Sequence, residues 1–243
     1  MKTKRKINKM DDEKRFTYKY KFVFEDGSEK EVELQLDKET LQIILPENEL
    51  KPEWARYENF GCHQHVCGSL YGEYCPIALN LQPLIHLFSN LPSYTKAKIY
   101  VEANDRTYFK ETSIQSGIGS LIGIIMVTSG CTTLSKLRPM VHYHLPFATI
   151  EETEFRVFSM YALAQYLKMR KGLAPDWNLT ELKKMYEDIQ IINRNIAQKI
   201  ADLEKMDASI NAVVILNTFA ESVTFSIDDM DFGHLEKIFK GWF

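Results

Sequence analysis

The stretch that decides the fold lies at residues 16–36, which read F-T-Y-K-Y-K-F-V-F-E-D-G-S-E-K-E-V-E-L-Q-L. Aromatic side chains alternate with polar ones over residues 16–24, and aliphatic ones alternate over 32–36 after an Asp-Gly pair at 26–27. A period of two is typical of a strand with one buried face, and Asp-Gly is a favoured hairpin turn. The pattern predicts an antiparallel hairpin whose aromatic row is core, followed by a short third strand over 41–45.

The rest of the chain predicts an α+β fold, in which an N-terminal antiparallel sheet of about five strands packs on a C-terminal helical bundle. Two more strands are expected over residues 96–103 and 106–112. Apolar spacings of three and four and helix start signals predict helices over about 76–90, 114–129, 149–171, 178–203 and 231–240, and another that Asp207 caps and that includes Phe219. We expect one domain over 16–243, with the sheet and a cysteine segment in 16–113 and the helical part in 114–243.

Two local expectations concern the helical part. Pro139 and Pro146 favour an extended or irregular path around residues 134–149. Thr149 and Glu152 have the spacing of a capping box, which opens a helix through residue 171. The apolar row predicted for that helix consists of Phe155, Phe158, Ala162, Tyr166 and Met169.

The charge distribution bears on location and partners. Residues 1–15 hold seven Lys or Arg against three acids, while the whole chain has a net charge of −3, so the remainder is acidic. We expect a disordered basic tail over 1–15 and no large nucleic-acid surface. No apolar segment follows the tail, and the longest apolar run, around 118–127, is too short to span a membrane. The sequence therefore predicts a cytoplasmic protein that does not enter the membrane.

The densest set of chemically active side chains lies at residues 60–76, F-G-C-H-Q-H-V-C-G-S-L-Y-G-E-Y-C-P. Thiolates and imidazoles are the ligands that zinc prefers, and a closed four-ligand site is typical of structural zinc. We predict a structural zinc held by Cys62, Cys67, Cys75 and Cys131, the last arriving from the end of the helix over 114–129. The alternative fourth ligands are His144, His142, His63 or His65.

Three other interpretations of the cysteines remain open. Four thiolates could equally hold an iron–sulfur cluster. Cys75 at a helix N-terminus could be a redox-sensing thiolate with Cys67 as its resolving partner. Without metal, the cysteines would be small buried hydrophobic side chains.

A second group of possible metal ligands follows the helix predicted over residues 114–129. His142 and His144 with Glu152 could form the metal centre of an enzyme, and Arg138 and Arg156 flank the pair as weak candidates for anion binding. The competing interpretation is structural, because acidic residues in the first turn of a helix suit its dipole. The sequence contains no familiar nucleotide-binding, nucleophile-elbow or zinc-protease motif.

The chain resembles an uncharacterised bacterial family of unknown function over nearly all of its length after the tail. The resemblance rests on the Asp-Gly hairpin, the cysteines with C-P-I-A at 75–78, S-G-C at 129–131, and L-R-P-M-V-H-Y-H-L-P-F-A-T-I-E-E-T-E-F-R at 137–156. This chain has Gly68 after Cys67 where the family has proline, and its His63 and His65 are not family positions. The resemblance implies a fold and a compartment but no activity.

The sequence therefore predicts a binding or regulatory protein whose sheet and helices are held together by a structural zinc site. The alternatives are a metal-dependent enzyme using His142, His144 and Glu152, and a cysteine redox or iron–sulfur sensor. Neither the reaction, if there is one, nor the ligand or protein partner follows from the residues.

Overall fold

Five strands form one antiparallel sheet in the order β3-β2-β1-β4-β5 in the computed structural model. The structure describes residues 14–44, 51–60, 72–103, 105–203 and 206–242. The strands are β1 (Arg15–Phe24), β2 (Glu29–Asp37), β3 (Ile43–Ile44), β4 (Lys96–Ala103) and β5 (Arg106–Ser113). The predicted meander and the two later strands are confirmed.

Strand β1 lies at the centre of the sheet, and its alternation decides which face is buried. Tyr18 is opposite Leu34 on β2 and Ala103 on β4, and all three are buried. Phe16, Tyr20 and Phe22 point to the same side as Tyr18 and are buried as well. The aromatic row is core, as the period of two predicted.

The helices cover that face, so the chain is α+β as predicted. The described α-helices are α1 (Pro76–Phe88), α2 (Ile114–Thr128), α3 (Arg138–His142), α4 (Ile150–Arg170), α5 (Thr180–Ala201), α6 (Ala208–Asp228) and α7 (Gly233–Glu236). Short 3-10 turns occur at Glu53–Ala55, Tyr57–Asn59, Leu134–Leu137 and Lys237–Phe239. The region around 134–149 is thus partly helical rather than extended, because Pro139 occupies the first turn of α3, where no backbone N–H bond is needed.

Helix α2 lies between the sheet and α6. A methyl group built at Gly117 would come within 2.7 Å of the Phe22 ring and 2.8 Å of the Ile99 side chain. On the other side, Gly119 approaches the Ala212 backbone of α6, whose nearest atom would lie 3.6 Å from such a methyl group. The glycines of α2 therefore serve close packing of a buried helix.

Helix α4 packs through a different face from the one that its apolar residues predict. Phe155, Tyr166 and Met169 are 39%, 44% and 46% exposed, and Ala162 is exposed too. The buried residues are Glu154, Val157, Tyr161 and Gln165. Of the predicted row, Phe158 is half-buried and packs edge-on against Phe232 at 5.1 Å between ring centroids.

Hydrogen bonds explain why α4 buries polar side chains. The Glu154 carboxylate accepts from the Ser222 hydroxyl and from the Ser226 hydroxyl at 3.2 Å, and lies 2.7 Å from His234 Nε2. Tyr161 donates to Asp176 Oδ2 at 2.7 Å. Buried polar groups with partners no longer oppose burial, so these bonds decide the rotation of the helix. Hydrophobic spacing alone carries no information about them.

One described helix, α6, is long and apolar enough to cross a membrane by length and composition, with a mean hydropathy of 1.4 over its most apolar window. It packs against α2 and α5. A core helix has the same composition, so the expectation that the protein stays out of the membrane remains a prediction.

Replacing Gly117 tests the packing of α2 on the sheet. Gly117→Ala should lower the free energy of unfolding by about 1–3 kcal/mol, because the new methyl group overlaps Phe22 and Ile99. Gly119→Ala is the matched control: its methyl group has ordinary contacts, and alanine favours helix by up to about 1 kcal/mol. Urea denaturation measures both, and equal effects of the two substitutions would contradict the packing described.

Candidate functional site

A cavity of about 180 Å³ lies between α2, the segment over residues 134–148, α4, α5 and α6. Its walls are mostly apolar, and they include Ile124, Val141, Ile189, Leu216 and Phe219. Five separate parts of the helical half contribute to it. The cavity is therefore a product of the tertiary fold rather than of one motif.

Small side chains on α2 keep the cavity open. Gly119, Ser120 and Gly123 lie on the side of that helix that lines the cavity. A methyl group at Gly123 would meet only Leu216, at 3.7 Å. Larger residues at these positions would fill the space.

Arg156 brings a positive charge to the cavity wall. It lies in the second turn of α4, just after the capping box in which Glu152 accepts from the Thr149 N–H at 2.8 Å. Its Nη2 donates to the backbone carbonyls of Met140 at 2.6 Å and Tyr143 at 3.1 Å. Within the described residues, its Nε and Nη1 have no hydrogen-bond partner, and the guanidinium forms no ion pair.

Burial lowers the pKa of Arg156, and nearby Tyr186 opposes that shift. A guanidinium is nevertheless protonated at any physiological pH. The cavity wall thus carries a half-buried charge that the described part of the chain does not neutralise.

Two polar residues of α5 also line the cavity. Tyr186 is 4% exposed and Asn193 is 2% exposed. Neither side chain forms a hydrogen bond within the described ranges. Burial raises the pKa of Tyr186, so its hydroxyl keeps its proton and can donate. Polar side chains with unused hydrogen-bond capacity at the wall of an apolar cavity are typical of a binding site.

His144 lines the cavity and belongs to a hydrogen-bonded chain. The Phe147 N–H donates to Ser120 Oγ at 3.0 Å, Ser120 bonds Tyr20, and the Tyr20 hydroxyl lies 2.7 Å from His144 Nε2. Burial, together with the positive charge of Arg156, lowers the pKa of His144 to about 3. The imidazole is therefore neutral at pH 7, and its Nε2 shares a hydrogen bond with the Tyr20 hydroxyl, which burial keeps protonated.

Two of the four predicted zinc ligands fall within the described residues. Cys75 is the N-cap of α1 and Cys131 follows the end of α2, as the sequence predicted. Both are 6% exposed, and both line one small apolar cavity with Phe60, Ile192 and other side chains. Residues 56 positions apart in the chain are thus brought to the same place.

The other cysteine-segment residues, Cys62, Cys67, His63 and His65, lie outside the described residues. The ends of that segment are held together, because the Tyr57 N–H donates to the Glu73 carbonyl at 2.7 Å and the Cys75 N–H to the Ala55 carbonyl at 2.8 Å. Phe60 at one end and Cys75 at the other both line the small cavity. The described residues Phe60 and Cys75, on either side of 61–71, therefore lie beside Cys131.

The predicted histidine–carboxylate centre is not assembled. His142 is exposed and stacks on Phe16 at 5.7 Å between ring centroids, whereas His144 bonds Tyr20. The Glu152 carboxylate is used in the capping box. Among the described residues, no group of three His, Cys, Asp or Glu is placed to hold a metal ion. Of the two predicted anion-binding residues, Arg156 lines the large cavity and Arg138 does not.

A family model covers residues 16–240, which is nearly the whole chain. The chain belongs to the DUF6901 family, a domain of unknown function. No curated protein and no solved structure gives a significant match to it. Membership in DUF6901 confirms the resemblance to an uncharacterised family and supplies no activity, so function has to be argued from the cavity.

The sequence signal for Tyr186 and Asn193 was weak but present. With Ile189 they form a row at spacings of three and four, beside the apolar row of Met185, Ile192 and Ile196. Such a row is compatible with an ordinary helix edge. Only the approach of α2 and α6 turns it into a cavity wall.

The depressed pKa of His144 predicts a pH dependence of stability. The unfolded chain binds a proton at His144 near pH 6.5, whereas the folded chain binds it only near pH 3, so stability is lost as the pH falls below 6.5. From pH 7 to pH 5 this amounts to about 2 kcal/mol. His144→Gln should remove that part of the pH dependence, and His142→Gln, at an exposed neighbour, should retain it. Urea denaturation at both pH values measures the difference, and an unchanged pH dependence in His144→Gln would contradict the burial of this imidazole.

Proposed function

We propose that the protein binds a small, largely apolar molecule in the cavity between α2, α4, α5 and α6. The observation that carries the proposal is the combination of apolar walls with buried polar side chains that have no partners in the described part of the chain, Tyr186 and Asn193. A mostly apolar cavity with a few convergent polar groups is the usual form of a small-molecule site.

The size of the cavity limits the ligand. An apolar cavity of roughly 150 Å³ is large enough to hold benzene in another protein. At about 180 Å³, this one suits a compact molecule of similar or slightly greater size. Longer ligands would have to extend out of the cavity or open it further.

The geometry favours a ligand-binding function over the metal-dependent enzyme that would use His142, His144 and Glu152. His142 faces solvent, Nε2 of His144 is hydrogen-bonded to Tyr20, and Glu152 caps its helix. Burial of Cys75 likewise disfavours a fast-reacting redox thiolate. A binding or regulatory role requires none of these groups to react.

Small probe molecules test the proposal. We expect indole to raise the melting temperature of the protein and to shift methyl NMR signals of Ile124, Ile189 and Leu216, because it fills the cavity. Gly123→Leu should abolish the effect by occupying the space, and Gly123→Ala should weaken it less. Unchanged binding in Gly123→Leu, or no stabilisation of the wild type at saturating indole, would contradict the proposal.

A structural metal site is the second part of the proposal, and it rests on a separate observation. Cys75 and Cys131 line the same small cavity, beside both ends of the segment that carries Cys62 and Cys67. Zinc bound by these four thiolates would hold the start of α1, the end of α2 and residues 61–71 together. An iron–sulfur cluster uses the same ligands, and either cofactor suits the reducing cytoplasm that the sequence predicts.

Metal analysis with variants tests this site. We expect one zinc per chain by mass spectrometry, no visible colour, and a large drop in melting temperature with a strong chelator, since metal-binding energy contributes to folding. Cys131→Ser should lose the metal, whereas His63→Asn should keep it. A brown protein with stoichiometric iron would show that the site holds an iron–sulfur cluster instead of zinc. Metal-free protein whose stability is insensitive to chelator would contradict a structural metal.

A further inference from the structure

We infer that the ligand of the large cavity is a carboxylate with an apolar body, whose charged end lies at Arg156 and Tyr186. The inference rests on the proposed binding function and specifies its ligand class. It follows from the charge and hydrogen-bond capacity of the cavity wall, which a neutral apolar ligand would leave unused.

The guanidinium of Arg156 lacks a counter-charge within the described residues. Its Nη2 is occupied by the Met140 and Tyr143 carbonyls, and its Nε and Nη1 hydrogens are not. Glu152 acts on it electrostatically, but this carboxylate is exposed and bonded in the capping box. A partly buried charge gains most from a ligand of opposite sign that also accepts its hydrogen bonds.

Tyr186 supplies a second donor beside this charge. Tyr186 and Arg156 line the same cavity, and the charge of Arg156 acts on the pKa of Tyr186. Because burial keeps the hydroxyl protonated, it can donate to a carboxylate oxygen. Arg156 and Tyr186 thus both bring hydrogen-bond donors to the wall of this cavity.

The number of charges distinguishes a carboxylate from a phosphate. Among the described residues that line the cavity, Arg156 is the one with a permanent positive charge, and His144 is neutral at pH 7. One cation balances a singly charged group but not a phosphate monoester, which carries about −1.5 to −2 charges at pH 7. The cavity chemistry therefore favours a monocarboxylate.

Asn193 provides a polar contact away from the charged end. It lies seven residues along α5 from Tyr186, about 10 Å at 1.5 Å per residue. Its amide can both donate and accept. A compact ligand would use the charged end alone, and a ligand that also reaches Asn193 would be longer than benzene and carry a carbonyl or hydroxyl group away from its carboxylate.

A pair of ligands with the same shape and different charge tests the inference. Benzoate and benzamide differ little in size, and we expect the wild-type protein to bind benzoate at least about tenfold more tightly at pH 7, the usual gain from a charge-assisted hydrogen bond. Titration calorimetry and methyl NMR at the cavity measure both affinities. Arg156→Met should abolish the preference, and Tyr186→Phe, which keeps the ring, should reduce it.

Control variants separate the assignment of a carboxylate ligand from the binding function on which it rests. Arg156→Lys keeps a positive charge and should retain part of the preference for benzoate. This variant shows whether the loss in Arg156→Met comes from the missing charge or from unfolding. Arg138→Met removes an arginine that does not line the cavity and should leave the preference unchanged. Equal binding of benzoate and benzamide would overturn the carboxylate assignment and leave apolar binding standing. A preference that survives both Arg156→Met and Tyr186→Phe would place the charged end elsewhere. Binding of neither ligand, nor of indole, would overturn the binding function itself.

Discussion

The structure depends on the close approach of α2 to the sheet on one side and to α6 on the other. Gly117 makes the first approach, because any side chain there would overlap Phe22 and Ile99. Gly119 and Gly123 allow the second, against Ala212 and Leu216. The same small residues that let the helix pack also leave the space that becomes the cavity, so folding and the candidate site share one physical origin.

The polar groups at the cavity follow from how the surrounding segments are anchored. Tyr18 donates to the Val141 carbonyl at 2.6 Å, and Tyr20 bonds His144, so two tyrosines of the central strand hold the segment after α2. Arg156 bonds the carbonyls at the end of α3 and so joins α4 to that segment. These bonds use Nη2 alone, so the remaining donors of a residue that lines the cavity have no partner among the described residues.

Much of the fold follows from the sequence, because strand alternation, the Asp-Gly turn and the Thr149–Glu152 capping box are local signals. The face of α4 was predicted wrongly, since its burial is decided by bonds from Glu154 and Tyr161 to distant partners. For the site, the sequence identified Arg156 but not Tyr186 or Asn193, because a cavity between five segments has no local pattern. Cys75 and Cys131, which the sequence predicted as ligands of one metal, line the same small cavity, and the metal itself stays a prediction.

A crystal structure of the protein grown with benzoate tests the central claim most directly. We predict density for the ring between α2, α5 and α6, with the carboxylate within hydrogen-bond distance of Arg156 and of the Tyr186 hydroxyl. A cavity that contains only water at a benzoate concentration sufficient for binding, or benzoate bound only at the surface, would contradict the claim that this cavity is the functional site.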